Sequence, residues 1–402
     1  MNYRLIMSDV NNLYDGLLRS IKSSSWKESS QKAALFFLDM IYRLSDDLYY
    51  QTYRTGEETH FILHERGRVR PITSLNVRDR TVRHVLCDYI LMPRIRPKII
   101  YDNSASIEDR GISFARKRLK VHLQDYYHQH GTNRGYILLG DFSKFYDNIL
   151  HEPSKKMLLD LVDGDEYIEW LLDILFKNFE IDASAMSEEE YFLAKYGVFN
   201  KLEYHPSYRY DHPVRTITKS INIGDQLAQA VGIYYPHELD NYVKIVKSTP
   251  YYARYMDDWY IISPDKAYLH MMLDDITERA HNIGLTVNRK KTRIVPINQP
   301  FVYLQTTHRL TETGAINISI NSDRVAAMRV RLKKLVNKVN AGQLPYHFVE
   351  SMFRSWMGSF HSVMSKYQID NLISLYESLF TVHVEIQNGS MYIEGENNGC
   401  TC

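Results

Sequence analysis

The chain is organised around residues 251–263, which read YYARYMDDWYIIS. Two runs of β-branched and aromatic residues flank Met256, Asp257 and Asp258, a pattern typical of a hairpin with two adjacent carboxylates at its turn. Such carboxylates repel each other and lose solvation where the flanking strands are buried, and a bound divalent cation would relieve both costs. An ordinary solvated Asp-Asp turn is the alternative interpretation of these residues alone.

A third acid follows an apolar run at residues 136–141, which read YILLGD. The run is apolar on both faces, and this predicts a central strand covered on both sides with Asp141 at its end. If that strand pairs beside the hairpin, Asp141 meets Asp257 and Asp258. Three carboxylates together suit Mg²⁺, and two such ions about 3.5–4 Å apart serve nucleotidyl transfer.

The YMDD hairpin, together with the strand, its terminal acid and an aromatic residue five positions later, resembles the palm of a reverse transcriptase. The resemblance covers residues 66–366 and implies an α+β right-hand polymerase with an antiparallel-sheet palm and mostly helical fingers and thumb. Its implied activity is addition of dNTPs to a 3′-hydroxyl on an RNA template. The implied catalytic residues are Asp141, Asp257 and Asp258, which with the Phe142 carbonyl would hold two Mg²⁺ ions, or Mn²⁺ in their place.

The resemblance also assigns residues to substrate binding. Tyr146 matches the aromatic residue that leaves no room for a 2′-hydroxyl, although a core aromatic is the alternative. Gln226 and Gln229 match an element beside the nascent base pair, and residues 220–240 predict one long helix there. In this element the family's threonine and serine are replaced by Leu227 and Ala228.

Two cationic segments complete the implied substrate site. Arg68 and Arg70 match a basic fingers hairpin that folds over the triphosphate, and guanidinium groups fit phosphate oxygens. Lys290 or Lys291 matches a lysine that protonates or neutralises the departing pyrophosphate, and the spacing favours Lys291.

The motif order predicts five regions: an N-terminal helical extension over 1–60, fingers over 61–135, a palm over 136–300, a primer-grip hairpin and helical thumb over 301–381, and a tail over 382–402. The palm contains a fingers-type insertion at about 155–222, of which residues 181–219 are predicted to be irregular. Residues 322–340 predict a basic helix that fits a thumb along a duplex.

Composition adds two expectations. Residues 66–120 contain 14 Lys and Arg against 5 Asp and Glu, so a basic face for a phosphate backbone is plausible although the net charge is only +1. Cys87, Cys400 and Cys402 are too few for a disulfide framework. No stretch reaches the length of a membrane span, and a cytoplasmic location without membrane attachment is expected.

Motif order and chain length are similar to those of stand-alone bacterial reverse transcriptases. The Leu227-Ala228 pair and the tail favour defence-associated enzymes that act against phage with a structured noncoding RNA. Diversity-generating retroelement enzymes and protein-primed or template-independent DNA synthesis are alternatives. A noncatalytic RNA-binding module is a further alternative. An RNA-templated RNA polymerase is another, and Tyr146 disfavours it. The expected partners are an RNA template, a DNA product and dNTPs, with a protein partner or a second copy left open.

Overall fold

The computed structural model describes residues 2–22, 24–65, 68–204, 214–387 and 390–394. Cys400, Cys402, the Arg68 side chain and residues 205–213 of the predicted insertion lie outside this description. Helices are combined with antiparallel strand pairs, which confirms the mixed α+β class. Among the described helices, none has both the length and the apolar composition needed to span a bilayer.

The chain forms two compact units. The first consists of Met1–Leu119 and Ile137–Ile294, and the second of Lys120–Tyr136 and Val295–Cys402. The predicted extension and palm fall almost entirely in the first unit, and the predicted fingers fall mainly there. The predicted thumb falls in the second.

Helices make up most of the first unit. They are α1 (Tyr3–Ser8), α2 (Val10–Lys22), α3 (Glu28–Leu35), α4 (Phe37–Tyr49), α5 (Val77–Val85), α6 (Met92–Ile95), α7 (Ile112–His130, which continues into the second unit), α8 (His151–Leu159), α9 (Glu166–Lys177), α10 (Glu188–Tyr196), α11 (Gln226–Tyr234), α12 (His237–Asn241) and α13 (Lys266–Asn282). Helical turns link several of them, including a π-helical turn over Leu86–Leu91 that joins α5 to α6.

The strands that position the candidate site lie in one four-stranded sheet with the order β6-β7-β3-β8. The strands up to this point are β1 (Glu58–Glu65), β2 (Arg68–Leu75), β3 (Tyr136–Asp141), β4 (Ile181–Asp182), β5 (Thr216–Ile217), β6 (Tyr252–Tyr255), β7 (Asp258–Ser263) and β8 (Arg293–Pro296). β3 lies between two neighbours and is buried along nearly its whole length. The prediction of a central strand is therefore confirmed.

Two sequence predictions about this unit are wrong in detail. The long helix over residues 220–240 is two helices, because α11 begins at Gln226 and Pro236 separates it from α12. Residues 181–219 are not irregular throughout, since α10 forms there with a capping box between Ser187 and Glu190.

The second unit contains a small antiparallel sheet and a helical layer. Its elements are β9 (Phe301–Tyr303), β10 (Thr306–Leu310), β11 (Ile316–Ile320), α14 (Ser322–Asn340), α15 (Tyr346–Phe360), α16 (Lys366–Phe380), β12 (His383–Gln387) and β13 (Ser390–Glu394). Leu332, Phe353 and Tyr376 lie at the centre of its core, where the Phe353 and Tyr376 rings stack at 4.1 Å. A hairpin begins at Phe301 as predicted, but its second strand is β10 and not residues 310–314, and residues 311–315 turn the chain into a third strand, β11.

Candidate active site

The hairpin that carries Asp257 forms as predicted. β6 and β7 pair antiparallel with Tyr255 opposite Asp258, so Met256 and Asp257 make a two-residue turn. Met256 has a φ of 54°, the left-handed conformation that such tight turns require. Asp257 therefore lies at the tip of the hairpin, and Asp258 begins β7.

Asp141 lies beside this turn, because β3 is the neighbour of β7 in the sheet. The main-chain N–H of Phe142 donates a hydrogen bond to the carbonyl oxygen of Asp257 at 3.2 Å. The Asp141 side chain is only 9% exposed. The expectation that the strand ending in Asp141 pairs beside the hairpin is thus confirmed at the level of the backbone.

Gly140 makes the close approach of β3 to β7 possible. A β-carbon added at position 140 would lie 2.1 Å from the indole ring of Trp259, which is fully buried. A larger residue would push β3 away from β7, and Asp141 away from the hairpin turn. Gly140 is not among the predicted site residues, although a glycine inside an apolar strand is a sign of close approach by a neighbouring element.

Two side chains from the segment after α13 hold the Asp141 carboxylate. The Nζ of Lys291 donates to both carboxylate oxygens, at 2.9 and 3.1 Å, and the side-chain amide of Asn288 donates to Oδ2 at 3.0 Å. The Lys291 side chain remains 55% exposed. The structure therefore brings Lys291, the lysine favoured by spacing, onto a predicted catalytic carboxylate.

The predicted metal ligands at this end of the sheet are all oxygen atoms, and oxygen ligands are those that Mg²⁺ prefers. Among the residues that the structure describes, no three His, Cys, Asp or Glu side chains are grouped so as to hold a metal ion. The Asp141 carboxylate instead faces the ammonium of Lys291. An ammonium held by both oxygens marks a position that favours positive charge, but the three predicted carboxylates are joined here through the backbone and not grouped around one metal position. The magnesium site therefore stays a prediction.

Tyr146 packs against the hairpin turn and α11. Its hydroxyl lies 3.6 Å from the sulfur of Met256, and a β-carbon added at Gly232 of α11 would lie 3.2 Å from the same hydroxyl. Burial, and after it the nearby charge of Asp257, raises the pKa of the Tyr146 phenol. Tyr146 therefore stays neutral and close to Asp257. Gly232 is a second residue that the sequence prediction missed. The sign of it in the sequence is a glycine inside a predicted helix, where glycine lowers helix stability by about 1 kcal/mol relative to alanine.

Gln226 and Gln229 lie in the first turns of α11, and both side chains are partly exposed. Gln226 lines a cavity of about 150 Å³ with Gly224 and Arg80. Leu227 and Ala228 are completely buried. At these two positions α11 contributes core packing and no hydroxyl group to the site.

The start of α11 is fixed by a buried ion pair. Asp225 is the N-cap and accepts from the N–H of Leu227, while its other oxygen accepts from the Nε of Arg83 on α5 at 2.8 Å. Both charged side chains are at most 1% exposed. This pair was not predicted, because the two residues are far apart in sequence.

Arg70, one of the two predicted phosphate-binding arginines, lies on β2 opposite Leu63 and is half-buried.

A second buried ion pair supports the hairpin from behind. Arg254 on β6 donates to both carboxylate oxygens of Asp240, and the two side chains are completely buried. The same guanidinium donates to the carbonyl oxygens of Met256, at 3.0 Å, and Ile233, at 2.7 Å. Arg254 thus connects the hairpin turn to the end of α11, the same helix that contacts Tyr146.

Comparison with known proteins gives little further information. No protein-family model matches the chain, and no curated protein sequence matches it. Among solved structures, it is similar to a telomerase from Candida albicans in complex with a fragment of telomeric RNA, with 13% sequence identity and a TM-score of 0.43. The match covers 82% of this chain and 60% of that one. A similarity this weak establishes neither a shared fold nor a shared function.

Proposed function

We propose that this chain is a nucleic-acid polymerase, and more specifically a reverse transcriptase that adds dNTPs to a 3′-hydroxyl on an RNA template. The observation that carries the proposal is the hydrogen bond between Phe142 and Asp257, which joins the backbone carrying Asp141 to the turn carrying Asp257 and Asp258. A noncatalytic RNA-binding module has no need of three acids at one end of a sheet.

The Asp141, Asp257 and Asp258 carboxylates and the Phe142 carbonyl would hold Mg²⁺. If bound there, Mg²⁺ would supply activation of the attacking hydroxyl and stabilisation of negative charge on the leaving pyrophosphate. The Lys291 ammonium, which contacts Asp141, would move to the departing pyrophosphate and donate a proton to it. The half-buried ring of Tyr146 would occupy the space of a 2′-hydroxyl and so favour deoxynucleotides.

The finer proposal is that DNA synthesis serves defence against phage together with a structured noncoding RNA. Its support is the Leu227-Ala228 pair and the segment after the thumb, which favour defence-associated enzymes among those of similar motif order. Sequencing the nucleic acid that copurifies with the protein tests it, since one recurrent structured RNA and its DNA copy are expected. A random sample of cellular RNA would contradict this finer proposal and leave polymerase activity intact.

The proposed activity is tested by incubating the purified protein with Mg²⁺, dNTPs and a primed RNA. We expect primer extension by the wild type and none by the Asp257→Ala, Asp258→Ala double variant, because the double variant lacks two of the three carboxylates. Asp274→Ala is the matched control, since Asp274 is an exposed acid on α13. Extension by the double variant would contradict the mechanism. Thermal stabilisation of the wild type by Mg²⁺ without any extension would favour the noncatalytic RNA-binding module.

A further inference from the structure

The turn that carries Tyr146 has little support of its own. It follows β3, passes through Lys144 with a φ of 46°, and closes in a single 3₁₀ turn over Tyr146–Asn148. Within the turn, the N–H of Asn148 donates to the carbonyl of Phe145 at 3.2 Å, and the Asn148 amide donates to the carbonyl of Lys144 at 2.9 Å. One short turn of this kind does not hold a side chain rigidly.

Residues 199–201, which we call the brace segment, supply the missing support. The Asn148 side chain accepts from the N–H of Phe199 at 2.8 Å and donates to the Phe199 carbonyl at 3.0 Å. Asn148 is 2% exposed and Phe199 is completely buried. A single amide side chain therefore joins the brace segment to the turn by two hydrogen bonds shielded from water, where such bonds are strongest.

Lys201 extends this connection in two directions. Its main-chain N–H donates to the Asp147 carboxylate at 3.1 Å, and its Nζ donates to the side-chain oxygen of Asn222 at 2.6 Å. Burial raises the pKa of Asp147, and the hydrogen bond from Lys201 opposes that rise.

The backbone of Tyr146 is also hydrogen-bonded to the segment that leads into α11. The N–H of Ile221, next to Asn222, donates to the Tyr146 carbonyl at 3.0 Å. The brace segment, the Tyr146 turn and the residues leading into α11 thus form one hydrogen-bonded network.

We infer that the brace segment positions the Tyr146 ring, and that Asn148 and Asp147 are the positioning residues through which it sets how strictly the site excludes a 2′-hydroxyl. This inference rests on the proposed polymerase function. Its physical basis is that steric exclusion of one hydroxyl depends on ring placement to within a fraction of an ångström, and a displacement of about 1 Å can change a rate by about a hundredfold. The ring hydroxyl contacts the thioether of Met256, an unbranched side chain that adapts readily to its neighbours, so placement of the ring depends on the turn that carries it.

The test compares dNTP and rNTP incorporation in five variants, of which Tyr146→Ala removes the ring itself and is the reference for lost discrimination. Asn148→Ala removes the bonds to Phe199, and Asp147→Ala removes the acceptor for Lys201. Asp147→Asn keeps that acceptor and is the conservative rescue. Tyr167→Phe is the matched control, because it removes a buried hydrogen bond to the carbonyl of Leu48 that does not involve the turn.

We expect Asn148→Ala and Asp147→Ala to lower the preference for dNTP over rNTP by about tenfold, the effect of about one net hydrogen bond. The loss should come from better use of rNTPs, whereas Asp147→Asn and Tyr167→Phe keep the wild-type preference. Hydrogen exchange of the amides of residues 142–149 should rise in the two alanine variants, and this measurement needs no activity.

Two results would separate the possible failures. If Tyr146→Ala loses the dNTP preference while both alanine variants keep it, the positioning role is overturned and the polymerase function stands. If the wild type incorporates no nucleotide, the proposed function fails and the discrimination role fails with it. Unchanged hydrogen exchange in Asn148→Ala would overturn the brace itself, whatever the activity.

Discussion

At the residue scale, His151 couples the stability of the first unit to pH. Its Nε2 donates to the carbonyl of Ser220 at 2.7 Å, and burial lowers its pKa to about 4 in spite of that bond. An unfolded histidine has a pKa of about 6.5, so between these values the unfolded chain binds a proton that the folded chain does not. His151 should therefore stabilise the fold fully above pH 6.5, by about 3 kcal/mol relative to acid, and lose this contribution as the pH falls to about 4.

Urea unfolding at pH 7 and pH 4.5 measures this contribution. The drop in the free energy of unfolding between the two values should be about 2–3 kcal/mol smaller in His151→Gln than in the wild type. Carboxylates also titrate in this range, but they contribute equally to both proteins. His281→Gln, which changes an exposed histidine on α13, should keep the wild-type pH dependence. An identical drop in His151→Gln and wild type would contradict the assignment.

The residues that could be predicted from sequence are those whose chemistry is unusual where they stand. Asp141, at the end of an apolar strand, and Asp257 and Asp258, at an aromatic hairpin, are conspicuous for this reason. Gly140 and Gly232 could not be assigned in the same way. Each lies against an aromatic side chain, Trp259 or Tyr146, and tertiary packing alone determines which one. A glycine in a strand or helix signals close approach without naming the partner.

At the scale of elements, the Arg254–Asp240 pair should dominate the stability of the hairpin. Arg254→Met leaves the Asp240 charge buried without its partner, which costs about 3–5 kcal/mol. The Arg254→Met, Asp240→Leu double variant removes both charges and should recover part of that loss. Chemical denaturation measures the free energies.

The matched control for this pair is Lys32→Ala, which breaks an exposed ion pair with Glu28 on α3. It should cost at most about 0.5 kcal/mol. If Arg254→Met were no more destabilising than this control, the buried pair would have no role in holding the hairpin. A double variant less stable than Arg254→Met would contradict the charge-burial explanation.

Elements were predictable where the pattern is strong and local. α14 forms at the expected bounds because its apolar periodicity is unbroken. The extent of α11 was overestimated, since Asp225 caps the helix at a point where the sequence also permits an earlier start. α10 was not predicted although the Ser187–Glu190 capping box is visible in the sequence, because the helix buries only Ala194 and so lacks an apolar stripe.

At the scale of the whole molecule, a net charge of +1 hides an uneven distribution. In the second unit, α14 carries one half-buried basic side chain, Arg324, and five exposed ones: Arg329, Arg331, Lys333, Lys334 and Lys338. Its opposite face packs into the core through Met328 and Leu332. This arrangement is suited to a phosphate backbone, because the charges stay hydrated until they displace counterions.

Removing two of these charges should weaken nucleic-acid binding without unfolding the unit. Lys333→Ala with Lys334→Ala should lower the slope of log affinity against log salt by about 1 for each phosphate that the helix no longer neutralises. Fluorescence anisotropy with a labelled RNA–DNA duplex at several salt concentrations measures that slope. Lys366→Ala, at the start of α16, is the control. An unchanged slope in the α14 variant would exclude this face from binding.

The central claim is that Asp141 acts in one catalytic centre with Asp257 and Asp258. Single-nucleotide primer extension by Asp141→Asn tests it most directly, because the substitution keeps the shape of the side chain and removes its charge together with one of its two acceptor oxygens. We expect the rate of dNTP addition to fall by at least about a hundredfold, as in the Asp257→Ala, Asp258→Ala variant, with an unchanged melting temperature. Extension at the wild-type rate by a folded Asp141→Asn protein would contradict the account.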